Sequence, residues 1–73
     1  MENKRMTEAK YESFNFYKSE VDDIHALEGK DNQYECMISI IKYGLGIEDK
    51  APEDPEARAI FERAKAKIDA DRK

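Results

Sequence analysis

A chain of 73 residues allows one domain, and so short a chain buries a small share of its surface, which leaves a thin stability margin. Apolar residues make up 40% of it, charged residues 41%, and the net charge is −4; an ordinary domain has roughly 25% charged residues, so most positions outside the core must be solvated. The order of residues along the chain contains no apolar run near the roughly 20 that span a bilayer, and the single cysteine, Cys36, excludes an intrachain disulfide.

The lone thiol fits a reducing compartment. No hydrophobic stretch follows Met1-Glu2-Asn3-Lys4-Arg5, so no secretory signal is expected and a cytoplasmic location is the default. His25 and Cys36 stand apart with no Cys-x-x-Cys or His-x-x-x-His pair, so neither a metal nor another cofactor is expected. Proteins of this size usually add a disulfide, a metal or a partner subunit to a small core. Here a homo-oligomer or a protein partner is the expected source of extra burial.

The first ten residues are polar and are expected to form a flexible tail, with residues 11–73 as a single three-helix domain. In chain order, the first helix is expected from about Ser13 to Glu28. Phe14, Tyr17, Val21 and Ile24 recur at spacings of three and four, and Leu27 extends that stripe. Ser19-Glu20-Val21-Asp22 has the form of a capping box, which would instead start the helix at Ser19 and leave Phe14 and Phe16 on one face of an extended lead-in. The longer helix is the favoured reading, with Gly29 ending it.

The second helix is expected from about Asn32 to Leu45, with Asp31 as its N-cap. Tyr34, Met37, Ile38, Ile41 and Leu45 form its expected buried stripe, with Ile40 and Tyr43 beside it. Gly46 followed by Ile47 reads as a left-handed C′ glycine with its hydrophobic contact. Gly44, near the helix end, either weakens the last turn or admits a close contact. The third helix is announced by Asp54-Pro55-Glu56, a cap, a proline at the first helical position and an acid for the dipole. Ala57, Ile60, Phe61, Ala64 and Ile68 then keep strict helical spacing to the closing Asp71-Arg72-Lys73. No strand and no repeat is expected, so the fold class is all-α, a compact three-helix domain, with self-association expected.

No enzyme is expected. Catalysis needs a nucleophile or base held by a second group, and Cys36, beside Glu35 on an amphipathic helix, reads as a buried inert thiol. His25 reads as partly exposed next to Asp22 and Asp23. The glycines each punctuate a helix end, so no phosphate loop exists. Residues 13–50 carry eight acids against four bases, whereas residues 51–73 carry six of each. Asp54–Arg58 and Asp69–Lys73 have stabilising i,i+4 spacing, so helix three reads as a salt-bridged solvent face. Tight duplex-DNA binding, which draws on phosphate neutralisation, is not expected. Aromatic residues bury much area with few rotamers to freeze, and Phe16, Tyr43 and Ile40 are the candidates for self-association or partner contact. A symmetric dimer through helices one and two is the expected oligomer.

The segments Ser13-Phe14-Asn15-Phe16-Tyr17-Lys18-Ser19, Tyr34 with Ile41-Lys42-Tyr43-Gly44-Leu45, Ala57-Arg58-Ala59-Ile60-Phe61 and Ile68-Asp69-Ala70-Asp71 together resemble a small phage and prophage domain of unknown function. That domain is found alone or at the N-terminus of phage replication proteins. The resemblance covers residues 11–73. This chain departs from the pattern at Glu20, where the family often has an aromatic, at Glu28-Gly29, where it often has proline, and at Gly44, where it has alanine. The resemblance implies a phage accessory protein in the cytoplasm of a bacterial host. It would bind another protein stoichiometrically, in the setting of phage DNA replication, and no catalytic residue carries over. The alternative expectation is an inhibitor of a bacterial defence system. An anti-CRISPR-like form would place Asp22, Asp23, Glu28 and Asp31, with Glu48 and Asp49, in a basic groove. A nucleotide-sequestering form would use aromatic stacking and Lys42.

Overall fold

The computed structural model describes residues 9–72. It contains three helices, α1 (Lys18–His25), α2 (Lys30–Gly44) and α3 (Pro55–Asp71), and no strand among the described residues. Helix α3 forms where its sequence announces it. Asp54 sits at the N-cap with extended backbone, and its Oδ2 accepts from the Ala57 amide at 3.0 Å. Pro55 occupies the first helical position, where no amide is needed. Ala57, Ile60, Phe61, Ala64 and Ile68 are all buried, as their spacing predicts. Replacing Asp54 by alanine is expected to cost about 1 kcal/mol, the usual loss of a side-chain cap, read as a shift in urea midpoint; Asp54→Asn should retain most of it.

Helix α2 packs along α3 but turns a different face inward than its longest apolar stripe suggests. Cys36, Ile40 and Gly44 are its buried residues, and Cys36 and Ile40 join the α3 residues with Ile24 and Leu27 in one core. The expected stripe of Tyr34, Met37, Ile38, Ile41 and Leu45 lies on another side: Tyr34 is 63% exposed, Met37 is 38% exposed, and the other three are half-buried. α2 has two apolar faces, and α3 selects the one with small residues. Cys36 and Gly44 let the two helices and the Phe14 ring approach closely. Asp31 is not the cap of α2. That position belongs to Gly29, whose φ of 89° lies in the left-handed region that glycine enters without cost. Asp31 stands instead in the first turn, where its charge faces the helix dipole favourably. At the other end the expected glycine cap forms. Gly46 has φ 74°, and Ile47 and Gly46 donate back to the Lys42 and Tyr43 carbonyls at 2.8 and 3.0 Å, the Schellman pattern.

Helix α1 is the largest departure from expectation. It has eight residues, not the Ser13–Glu28 span, and its N-cap is Tyr17, with φ −78° and ψ 148° and no side-chain cap bond. The Ser19 capping box does not form either: Ser19 is inside the helix, and its hydroxyl donates to Glu20 at 3.2 Å. Residues 9–17 are an irregular, non-helical strap. Alternate residues of an extended chain share a side, and the strap uses both. Phe14 and Phe16 pack against the core with ring centroids 5.8 Å apart. Asn15 and Tyr17 both donate to the Asp71 carboxylate, at 3.1 and 2.7 Å. A helix would point Phe14 and Phe16 in different directions, so burial of both rings favours the extended form. The strap also crosses the end of α2, where the Tyr11 amide donates to the Leu45 carbonyl at 3.1 Å. The Arg72 guanidinium lies 3.7 Å from the Tyr11 ring centroid and donates to the Gly44 carbonyl. The expected tail, residues 1–10, lies outside the described residues except for its last two.

Candidate functional site

The residues expected to meet a partner do not share a surface. Ile40 is 1% exposed at the centre of the core, so its assignment to a contact surface is corrected: the small-residue face of α2 turns inward and carries Ile40 with it. Phe16 and Tyr43 are half-buried and pack against that same core. The Tyr43 ring meets Phe61 edge-on at 6.0 Å, Lys65 lies 5.3 Å from its centroid, and its hydroxyl donates to Asp69. That bond to a carboxylate, with burial behind it, pushes the Tyr43 hydroxyl up to about 12 from an ordinary 10.0. The protonated phenol is the form that donates, so its contribution to stability is complete below about pH 10 and is lost as pH rises towards 12.

The acidic candidates are divided in the same way. Asp22 is paired with Lys18 at 2.8 Å and Asp23 with Arg63 at 3.1 Å. Glu28 and Asp31 are exposed at the corner between α1 and α2, where the Asn32 and Gln33 side-chain amides donate to the Glu28 and Leu27 carbonyls at 3.0 Å each. The bases of α3 are tied down too, but not by the i,i+4 partners expected from the sequence. Arg63 goes to Asp23, Lys65 to Asp49 at 3.1 Å, and Lys67 to Glu20 at 2.9 Å. Asp54 is occupied as a cap, Arg58 donates to the Pro52 carbonyl at 3.3 Å, and the pairing of Asp69 with Lys73 lies outside the described residues. Each α3 cation thus locks another segment onto the helix. Glu20, 3% exposed, is the most enclosed acid of this set, and the sequence gives no sign of it apart from its place on α1.

Cys36 is fully buried, with its thiol directed at the Ala57 carbonyl at 3.5 Å. Burial, and then the charges of Asp23 and Asp54, push the thiol up to about 11. A protonated, enclosed thiol is a poor nucleophile. Native protein at pH 8 is expected to resist iodoacetamide, and to react at the rate of a free thiol only after denaturation. Rapid native labelling, followed by mass spectrometry, would contradict this burial.

Of the concave surfaces among the described residues, two lie beside the C-terminal half of α2. An open cleft of about 450 Å³ lies between the strap and the end of α2, lined among others by Lys10, Tyr11, Tyr43, Asp69 and Arg72. Its wall mixes carboxylates and bases, and Tyr11, Tyr43 and Arg72 there are already engaged with one another's elements. A smaller trough of about 180 Å³ runs between α2 and the following loop, bordered by Glu35, Ser39, Lys42 and Glu48, with Lys42 and Glu48 3.5 Å apart. Among the described residues no three His, Cys, Asp or Glu side chains come together as a metal site, and no helix is long and apolar enough to cross a membrane.

The outer face of α2 carries an apolar stripe. Tyr34, Met37, Ile38 and Ile41 recur at three- and four-residue spacing and remain partly or largely exposed. The sequence displays this stripe openly. What it conceals is that α3 is already served by the other face. In comparisons with family models, curated proteins and solved structures, nothing matches the chain.

Proposed function

We propose that this chain is a non-enzymatic protein-binding module whose contact surface is the outer face of α2. The reading is supported above all by Tyr34, at 63% the most exposed large hydrophobic among the described residues, standing at the head of a second apolar stripe on a helix whose other face fills the core. Monomeric proteins bury most of such a stripe, and a contiguous apolar surface rimmed by polar residues marks an interaction site. Tyrosine and methionine are both enriched in protein interfaces. Lys65 and Lys67 of α3 are held by carboxylates, which weakens any reading based on phosphate contacts. The partner we propose is a phage replication protein in a bacterial host, a reading supported only by the short motifs that resemble the phage domain.

The test is affinity capture from phage-infected cells with the wild-type chain and with a Tyr34→Asp/Ile38→Asp variant. Both should give the same helical circular dichroism spectrum, since neither position is in the core. A replication protein retained in near-equimolar amount by the wild type and lost from the variant is the expected result. An identical set of bound proteins on both would overturn the proposed surface. Retention of a defence nuclease instead would move the chain to counter-defence while keeping the surface.

A further inference from the structure

We infer that the outer face of α2 is self-complementary and takes a second copy of this chain, with the two α2 helices antiparallel. The inference rests on the reading of that face as a contact surface and names its occupant in the free chain, a second copy that a foreign partner displaces. Its basis is the charge along one edge of the stripe. Asp31, Glu35 and Lys42 fall at spacings of four and seven residues, which places them on one side of the helix, with the acids towards the N-terminal end and the base towards the C-terminal end.

A two-fold axis perpendicular to α2 that brings two apolar faces together sets equal edges side by side and reverses their direction. With the axis crossing between Ile38 and Ser39, Lys42 of each copy stands level with Glu35 of the other, and Asp31 lies one turn further on. The same operation drops each Tyr34 ring between Ile41 and Leu45 of the second copy, the arrangement in which a knob enters the space between residues four apart. A parallel pair would place this edge against the opposite edge and lose the match. Among the described residues Lys42 pairs only with Glu48, at 3.5 Å, and its side chain is 38% exposed, so its ammonium is within reach of a facing carboxylate. Such an interface is isologous, and closes at two copies.

The test is sedimentation equilibrium of the full chain from micromolar to millimolar concentration. Wild type is expected to move from one chain mass to twice that mass. Ile38→Asp should abolish the change. Lys42→Glu alone and Glu35→Lys alone should each weaken the dimer about tenfold, because two exposed pairs turn from attraction to repulsion. The double variant Lys42→Glu/Glu35→Lys should return to within about threefold of wild type, since each exchanged charge again meets its opposite. Only pairing with an identical, antiparallel copy gives that rescue. A single mass at every concentration, with capture of a foreign partner still lost in the Tyr34→Asp/Ile38→Asp variant, overturns the inference and leaves the contact surface standing. A dimer that Ile38→Asp leaves intact overturns the inference, the contact surface itself being tested by the capture, and single charge variants without rescue overturn the antiparallel register.

Discussion

Ile40→Asp is expected to unfold the protein. Ile40 is 1% exposed among Phe61, Ile60, Ala57 and Cys36, and a carboxylate there loses its water without gaining a partner. An uncompensated buried charge costs about 3–5 kcal/mol, and a domain of this length has a total stability of only roughly 4–11 kcal/mol. Ile40→Ala is the measurable counterpart. Truncation in a packed core costs about 2–5 kcal/mol, which at about 4–8 °C per kcal/mol lowers the melting temperature by some tens of degrees at the upper end. Thermal melts by far-ultraviolet circular dichroism of Ile40→Ala and Ile40→Asp, beside Tyr34→Asp, separate core from surface. The first should melt far below wild type, the second should show no cooperative transition, and the third should stay within a few degrees of wild type. A folded Ile40→Asp with wild-type melting would return Ile40 to the surface and rotate α2 in the fold.

Gly44→Ala is expected to destabilise the protein, the reverse of its usual sign. Within a helix the exchange normally gains about 1 kcal/mol from propensity. Here a Cβ on Gly44 would overlap the Phe14 ring, and that ring cannot swing aside freely, because it also packs on Phe16 and on the core. Forcing an extra carbon into a filled contact costs about 1–3 kcal/mol, so the net change is a loss. The strap should loosen as well. Exchange of the Tyr11 amide, which is held by the Leu45 carbonyl, should quicken more than that of amides within α3. A double-mutant cycle with Phe14→Ala isolates the contact: in that background Gly44→Ala should be neutral or stabilising, with a coupling of about 1–3 kcal/mol. Equal effects of Gly44→Ala in both backgrounds would show that Phe14 does not rest on this glycine.

Much of the architecture is legible along the chain. The cap and proline at Asp54-Pro55 and the spacing of Ala57, Ile60, Phe61, Ala64 and Ile68 specify α3 because cap chemistry and a single apolar stripe act within one helix and agree with each other. Gly46-Ile47 specifies the end of α2 for the same reason. A left-handed residue is a local steric requirement, and glycine meets it wherever the surrounding fold lies. The absence of a second cysteine settles the question of an intrachain disulfide without any coordinates.

Other features are decided between elements. α2 carries two apolar stripes, and periodicity alone weights the larger one, Tyr34 to Leu45. The closeness of α3 and of the Phe14 ring selects the face with Cys36 and Gly44, because small residues admit neighbours that tyrosine and methionine would hold away. Residues 13–17 of the strap read as helix because Phe14, Tyr17, Val21 and Ile24 match a helical repeat. It is extended because Phe14 and Phe16 find a common core and Asn15 and Tyr17 a common acceptor in Asp71, more than fifty residues away. The partners of Arg63, Lys65 and Lys67 lie likewise on other segments. The sequence by itself determined the number of helices, the inner face of α3 and the glycine stop after α2, because each depends on residues within one or two turns. Only the tertiary structure decided which face of α2 is buried and where α1 begins, because both depend on which distant surfaces come into contact.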